Sequence, residues 1–338
     1  MQAPLPVGKL PMEMLARLLQ RYAHADPRVV VGPEVGEDAA AIAMGDRYLV
    51  VKTDPITFST DEIGWYVVNV NANDIATRGA TPRWFLCTLL LPEGRTDASL
   101  VDEIFAQVSQ ACSHLGVALC GGHTEITYGL DRPVAVGVML GEVEEDRLVS
   151  TRGIQPGDAL VLTKGIAVEG TAIIARELDS DLRERFSPAF LERCRQFLRE
   201  PGISVVRDAQ IATQAAQVHA MHDPTEGGLA TALRELATAG RVGLRVREEA
   251  IPILPETRAL CAHLGLDPLG LIASGALLIA VAPGDAARVV AALEGEGIRA
   301  SAIGEATPDQ EELVLIGPDG TERPLPLFPR DELARLFG

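Results

Sequence analysis

Five acidic side chains stand where the chain turns: Asp38 in GED, Asp54 in KTD, Asp74 in NAND, Glu125 in GGHTE and Asp223 in HDPTEGG. Carboxylates at the ends of strands and helices suit a hard divalent cation. Mg2+ takes few protein carboxylates and fills its remaining positions with water and phosphate oxygens. Several of these groups meeting at one point would neutralise and orient nucleotide phosphates. Singly, each has a plainer alternative: Asp74 could pair with Arg78 one turn on, and Asp223 could cap the helix that follows it. His123 is open in the same way, as a ligand, an acid or base, or a loop histidine with a satisfied ring.

Glycines accompany the acids. Gly121 and Gly122 let backbone approach an anion closely, and Gly227 and Gly228 open a helix whose free N–H groups favour negative charge. The chain has no GxxxxGK[ST] and no strand-linked GxGxxG, which argues against a P-loop or dinucleotide fold. It also lacks HExxH and GxSxG, and hydrolases of those types lose their support.

The elements that must position these residues can be read from periodicity. Met12 to Tyr22 is an amphipathic helix with Leu15, Leu18 and Leu19 on one face, closed by Asp26-Pro27. A loop with Gly32, Gly36, Glu37 and Asp38 leads into two strands turned at Met44-Gly45-Asp46, the second delivering Lys52, Thr53 and Asp54. Residues 61–79 form a helix with Ile63, Val67, Val70 and Ile75 inward, Asn71, Asp74 and Arg78 on its other face, and Gly79 as its stop. PRWFLCTLLLPEG is a buried strand, DASLVDEIFAQVSQACSHLG a helix, VALCGGHTEIT a strand with its loop, and PVAVGVMLGEV a strand. STRGIQPGD is a polar joint, which sets domains at 1–150 and 151–338. Beyond it strands and helices alternate again, from ALVLTKGI to IRASAIGEA.

Bulk composition narrows the classes. At 338 residues the chain exceeds what one core usually supports, and 47% apolar with 4% aromatic residues suits an α/β enzyme of two domains. A formal charge of −17 argues against nucleic acid and anionic membranes as partners. Five scattered cysteines, Cys87, Cys112, Cys120, Cys194 and Cys261, form no CxxC pair and fit a reduced, cytoplasmic protein. The amino-terminal segment lacks the pattern of a signal peptide, and no apolar run is long enough for a bilayer.

Taken in order, GEDAAAI, KTDPITF, DEIGWYVVNVNANDIATRGATPRWFLCTLLLPEG, CGGHTEIT and HDPTEGGLATALRELA resemble the ATP-binding superfamily of aminoimidazole ribonucleotide (AIR) synthetase. Within it they look most like the hydrogenase maturation proteins of the HypE type. The resemblance runs from about Val7 to Pro308. It implies a two-domain PurM-like α/β (α+β) fold, mixed sheets with helices on one side, and a homodimer whose amino-terminal strands form a shared barrel. It also implies a site for ATP and Mg2+ between the domains, bordered by the partner chain.

By motif, Asp38, Asp54 and Asp74 would bind Mg2+ and phosphates, with Thr53 beside them. Gly121, Gly122 and Thr124 would line the nucleotide, and Asp223, Thr225 and Gly227 would approach from the second domain. Asp54, Asp74, His123 and Glu125 would be the catalytic group, with His123 tuning specificity. The expected activity is ATP-dependent phosphorylation of an amide or carboxamide acceptor, small or protein-borne, alongside hydrogenase maturation factors. A non-catalytic nucleotide-binding dimer and a thiamine-monophosphate kinase are the alternatives.

The sequence departs from the family pattern in two places. HypE-type proteins end in a cysteine that is carbamoylated and then dehydrated with ATP, whereas this chain has RDELARLFG there and no cysteine after Cys261. His123 stands where an aspartate is usual. A GGH triplet is similar to selenophosphate synthetase, but that family needs a cysteine or selenocysteine near a glycine-rich amino terminus.

Overall fold

The computed structural model describes residues 5, 10–33, 37–57 and 61–337. Gly36, part of the acidic loop read from the sequence, lies outside them. The first half runs α1 (Met12–Tyr22), β1 (Val29–Val31), β2 (Ala40–Ala43), β3 (Arg47–Ile56), α2 (Ile63–Thr77), β4 (Thr81–Pro92), α3 (Ala98–Leu115), β5 (Ala118–Thr127) and β6 (Val134–Glu144). The second half runs β7 (Ala159–Thr163), α4 (Val168–Glu177), α5 (Asp179–Leu182), α6 (Pro188–Gln196), α7 (Val206–Ala215), β8 (Val218–His222), α8 (Gly228–Gly240) and β9 (Gly243–Arg247). It continues with α9 (Pro255–Leu264), β10 (Leu278–Val281), α10 (Ala286–Gly295), β11 (Ala300–Thr307), β12 (Leu313–Ile316), β13 (Glu322–Pro324) and α11 (Ala334–Phe337).

Each half builds one sheet, ordered β1-β2-β3-β6-β4-β5 in the first and β13-β12-β9-β11-β7-β10-β8 in the second. In the first sheet, alternation along β6 sends Ala135, Gly137, Met139 and Gly141 to a buried face and leaves Val134, Val136, Val138 and Leu140 half-buried on the other. Helices α2 and α3 cover the buried face. In the second sheet, Leu160, Leu162 and Leu278 pack with Leu229, Leu233 and Leu236 of α8, while Val161 and Ile279 join the core that includes Ala209 and Ala212 of α7 and Val289 of α10. Helices therefore lie on both of its faces, a fuller cover than the one-sided layer expected from the sequence.

The helix read as two-faced, α2, is buried all round apart from half-buried Val70, one of the residues expected to face the core. Asn71 and Asn73 are inside because each finds partners, whereas the buried Tyr66 hydroxyl has none among the described residues. Asn71 accepts from the Asp54 N–H at 2.8 Å and donates to the Asp54 carbonyl at 3.2 Å, clamping β3. Asn73 donates to the Ile203 carbonyl and accepts from the Val205 N–H, both at 2.8 Å, which fixes a loop of the second half against the first. Trp65 Nε1 adds a bond to the Leu198 carbonyl at 3.2 Å. A helix placed between two layers must satisfy both, so its polar stripe marks the contact with the second layer.

Two further expectations change. CGGHTE is no loop: β5 continues through it as an exposed edge strand parallel to β4, with Cys120 as an extra residue in the ladder. Arg78 does not pair with Asp74. Fully buried, its guanidinium is bonded to Glu37, to Asp38 at 3.3 Å and to Thr151 Oγ1 at 2.9 Å.

Candidate functional site

Strand β3, helix α2, the loop before β2 and the end of β8 bring four aspartates together. On β3, Lys52 and Asp54 share the face toward α2, and Lys52 Nζ lies 2.9 Å from Asp74 Oδ2 and 3.5 Å from Asp54 Oδ2. Asp38 arrives from the loop and meets His222 of β8, whose Nδ1 donates to Asp38 Oδ2 at 3.0 Å while Nε2 donates to Glu235 Oε2 of α8 at 2.9 Å. Asp223 follows directly, and ligand atoms of Asp38, His222 and Asp223 all lie within 4.8 Å of one another. The group thus draws on both halves of the chain.

Packing holds this geometry. Gly137 of β6 faces Asp54 across the ladder, and a Cβ there would stand 2.4 Å from Asn71 Nδ2, so only glycine leaves room for the amide that grips Asp54. Glu37 accepts from Ser150 Oγ at 2.7 Å and pairs with Arg78, which ties the Asp38 loop to the joint between the halves.

Charge is unevenly balanced. Burial works against the ionised forms of Lys52 and His222, yet the aspartates beside Lys52, and Asp38 with Glu235 beside His222, push both pKa values up. Burial likewise opposes the Asp38 carboxylate, but His222, Arg78 and Lys52 hold it well below the usual range. The remaining acids go the other way. Burial first, then neighbouring carboxylates, raises Asp74 against the pull of Lys52, and the same causes raise Asp223. Asp223 Oδ2 is buried without a hydrogen-bond partner among the described residues. The crowded carboxylates thus work against one another's ionisation, and a divalent ion with oxygen ligands would relieve that repulsion. The carboxylates fit Mg2+. His222 does not fit as a ligand, because both ring nitrogens already donate to carboxylates.

Other residues expected at the site are placed elsewhere. The cross-sheet row Asp54, Gly137, Cys87, Gly122 puts Gly122 three strands from Asp54, about 14 Å at ~4.8 Å per step. Thr124 pairs with Leu89 on that helix-covered face, whereas Thr53, Gly121, His123 and Glu125 lie in rows of the opposite, open face. His123 Nε2 is 3.4 Å from Glu125 Oε2, and both are exposed. Within one chain, then, the GGHTE residues and the aspartates do not meet.

The start of α8 also differs from expectation. Gly227 is its N-cap, Asp223 is not, and half-buried Thr225 accepts the Gly228 N–H. The Gly227 N–H donates to Asp331 Oδ2 at 2.6 Å, so a carboxylate of the chain itself takes the place read as open to an anion.

Lys52, His222 and Glu235 were not singled out from the sequence. Their signals were slight: Lys52 is one of only three lysines, and His222 opens HDPTEGG.

Comparison with known proteins gives the family. Models of the AIR synthase related protein match with the N-terminal domain at residues 36–143 and the C-terminal domain at 155–316. A putative hydrogenase expression/formation protein of Methanocaldococcus jannaschii is 31% identical over 294 residues, covering 84% of each chain. Carbamoyl dehydratase HypE of Cupriavidus necator is 33% identical over 298 residues, 82% of this chain and 79% of that one. The crystal structure of hydrogenase maturation protein HypE in complex with ATP superposes with a TM-score of 0.73 at 24% identity, covering 97% and 98% of the two chains, and so shares the fold. The chain belongs to the AIR synthase-related family, among the relatives of the hydrogenase maturation protein HypE.

Proposed function

We propose that the protein is an ATP- and Mg2+-dependent enzyme of the HypE type, acting in hydrogenase maturation by phosphorylating the oxygen of an amide or carboxamide acceptor. The observation that carries this reading is the meeting of Asp38, Asp54, Asp74 and Asp223, from both halves of the chain, around Lys52 and His222. Relatives named carbamoyl dehydratase HypE and the ATP complex of a similar fold support it. In this reading Asp38, Asp54 and Asp74 hold Mg2+, which supplies the charge neutralisation that nucleotide phosphates need. Asn71 fixes the backbone that presents Asp54, and His222 locks Asp38 to α8 of the second half. Phosphorylation turns a carboxamide oxygen into a phosphate leaving group, and loss of two N–H protons completes a dehydration to the nitrile.

The segment after β13 packs Asp331 onto the Gly227 N–H and Glu332 onto the Asp267 N–H. We further propose a homodimer, in which a second copy covers the open apolar face of the first sheet and brings its GGHTE strand, with His123 and Glu125, to border the nucleotide.

Thermal-shift titration tests the reading. ATP with Mg2+ is expected to stabilise the protein by about 3 kcal/mol at a hundredfold excess over Kd, and Asp54→Asn and Asp74→Asn to abolish the shift. Failure of the wild type to respond at millimolar nucleotide would sink it. A shift without release of phosphate or AMP in the presence of small amides would leave a nucleotide-binding dimer instead of an enzyme.

A further inference from the structure

Resting on the nucleotide reading above, we propose that Lys52 is a built-in cation of the site: its ammonium takes a position among the carboxylates that a divalent ion would otherwise fill, and donates to a phosphate oxygen. Its placement is fixed. Lys52 stands two residues from the backbone unit of Asp54 that Asn71 grips on both sides, and its side chain is only 18% exposed. The ammonium has three N–H donors. Asp74 at 2.9 Å and Asp54 at 3.5 Å are its ion-pair partners, and a donor remains for an oxygen brought by a ligand.

Charge makes the role specific. Buried Asp74 takes its ion-pair partner from Lys52, whereas Asp38 has His222 and Arg78. Asp223 Oδ2 is buried with no hydrogen-bond partner among the described residues, within ligand reach of Asp38 and His222. Without the ammonium Asp74, 4% exposed, loses its ion-pair partner. A buried carboxylate in that condition recruits another cation or weakens the site. Lys52 thereby sets how many metal ions the site takes, and it meets the nucleotide beside Asp54 and Asp74.

Mn2+ binding counted by electron paramagnetic resonance, with a non-hydrolysable ATP analogue present, tests this apart from turnover. Lys52→Met is expected to bind one more Mn2+ per chain than the wild type. Its analogue affinity should fall about tenfold at limiting Mn2+, in line with loss of a charged hydrogen bond, and recover as Mn2+ is raised. Lys52→Arg should keep the wild-type count. Equal counts and affinities in Lys52→Met and wild type would overturn the role of Lys52 while leaving the nucleotide reading intact. A wild type that binds neither Mn2+ nor analogue would overturn both. If Lys52→Met folds poorly, added Mn2+ should restore its melting temperature, and no restoration counts against the proposal.

Discussion

Two cations, Lys52 and His222, let four aspartates from distant parts of the chain share one place. Their positions explain why the acidic motifs were readable while the cluster was not. GED, KTD, NAND and HDPTEGG announce acids at element ends, but a lone lysine or histidine carries no spacing signal, and only the fold shows what each one touches. Another buried acid, Glu169 of α4, lies outside the site. Burial raises it from an ordinary 4.5 to about 7, with Glu226 and Asp331 adding to the rise against a bond from Ser274. Between those values the folded protein holds a proton that the unfolded chain has released. Stability from this group is therefore full below pH 4.5 and falls as pH rises to about 7, by roughly 3 kcal/mol. Glu169→Gln is expected to remove that slope, so that its urea midpoint exceeds the wild-type value most at pH 8. Equal pH slopes in the two proteins would contradict the assignment.

At the scale of elements, α2 is the hinge of the architecture. Its apolar spacing was legible as a helix, and its limits at 63–77 fall inside the expected 61–79. What periodicity could not reveal is that both faces are buried, since Asn71 and Asn73 look like a solvent stripe until β3 and the 203–205 backbone supply their partners. Gly137 belongs to the same contact. Gly137→Ala places a methyl 2.4 Å from Asn71 Nδ2 and 2.9 Å from Phe85 Cε2. We expect a loss of about 1–3 kcal/mol in chemical denaturation, typical of overpacking. Because the displaced amide is the one that holds Asp54, ATP affinity should weaken as well. An unchanged affinity would show that the clamp is dispensable.

At the scale of the molecule, two features of the first sheet remain open in a single chain: the edge strand β5, with Leu119 and Ile126 exposed, and the half-buried apolar face of Val136, Val138 and Leu140. Exposed edges and apolar faces of this extent invite pairing with another chain. Val138→Asp, at the centre of that face, is expected to convert a dimer to a monomer in size-exclusion chromatography with light scattering. Loss of the nucleotide-induced thermal shift in the same variant would follow if the partner's β5 borders the site. A variant that stays dimeric would rule out this face as the interface. Among the described residues no helix is long and apolar enough to cross a membrane.

The sequence by itself determined the order of the elements, the acidic motifs and, through their spacing, the family, because turn residues and apolar periodicity act over a few neighbours and survive in one dimension. Only the tertiary structure decided which acids meet. Sheet register puts Asp54 and Lys52 on one face and Thr53 and His123 on the other, three strands separate Asp54 from Gly122, and the approach of β8 to the Asp38 loop brings in His222 and Asp223. Register and layer contacts join residues more than a hundred positions apart. No local pattern encodes them.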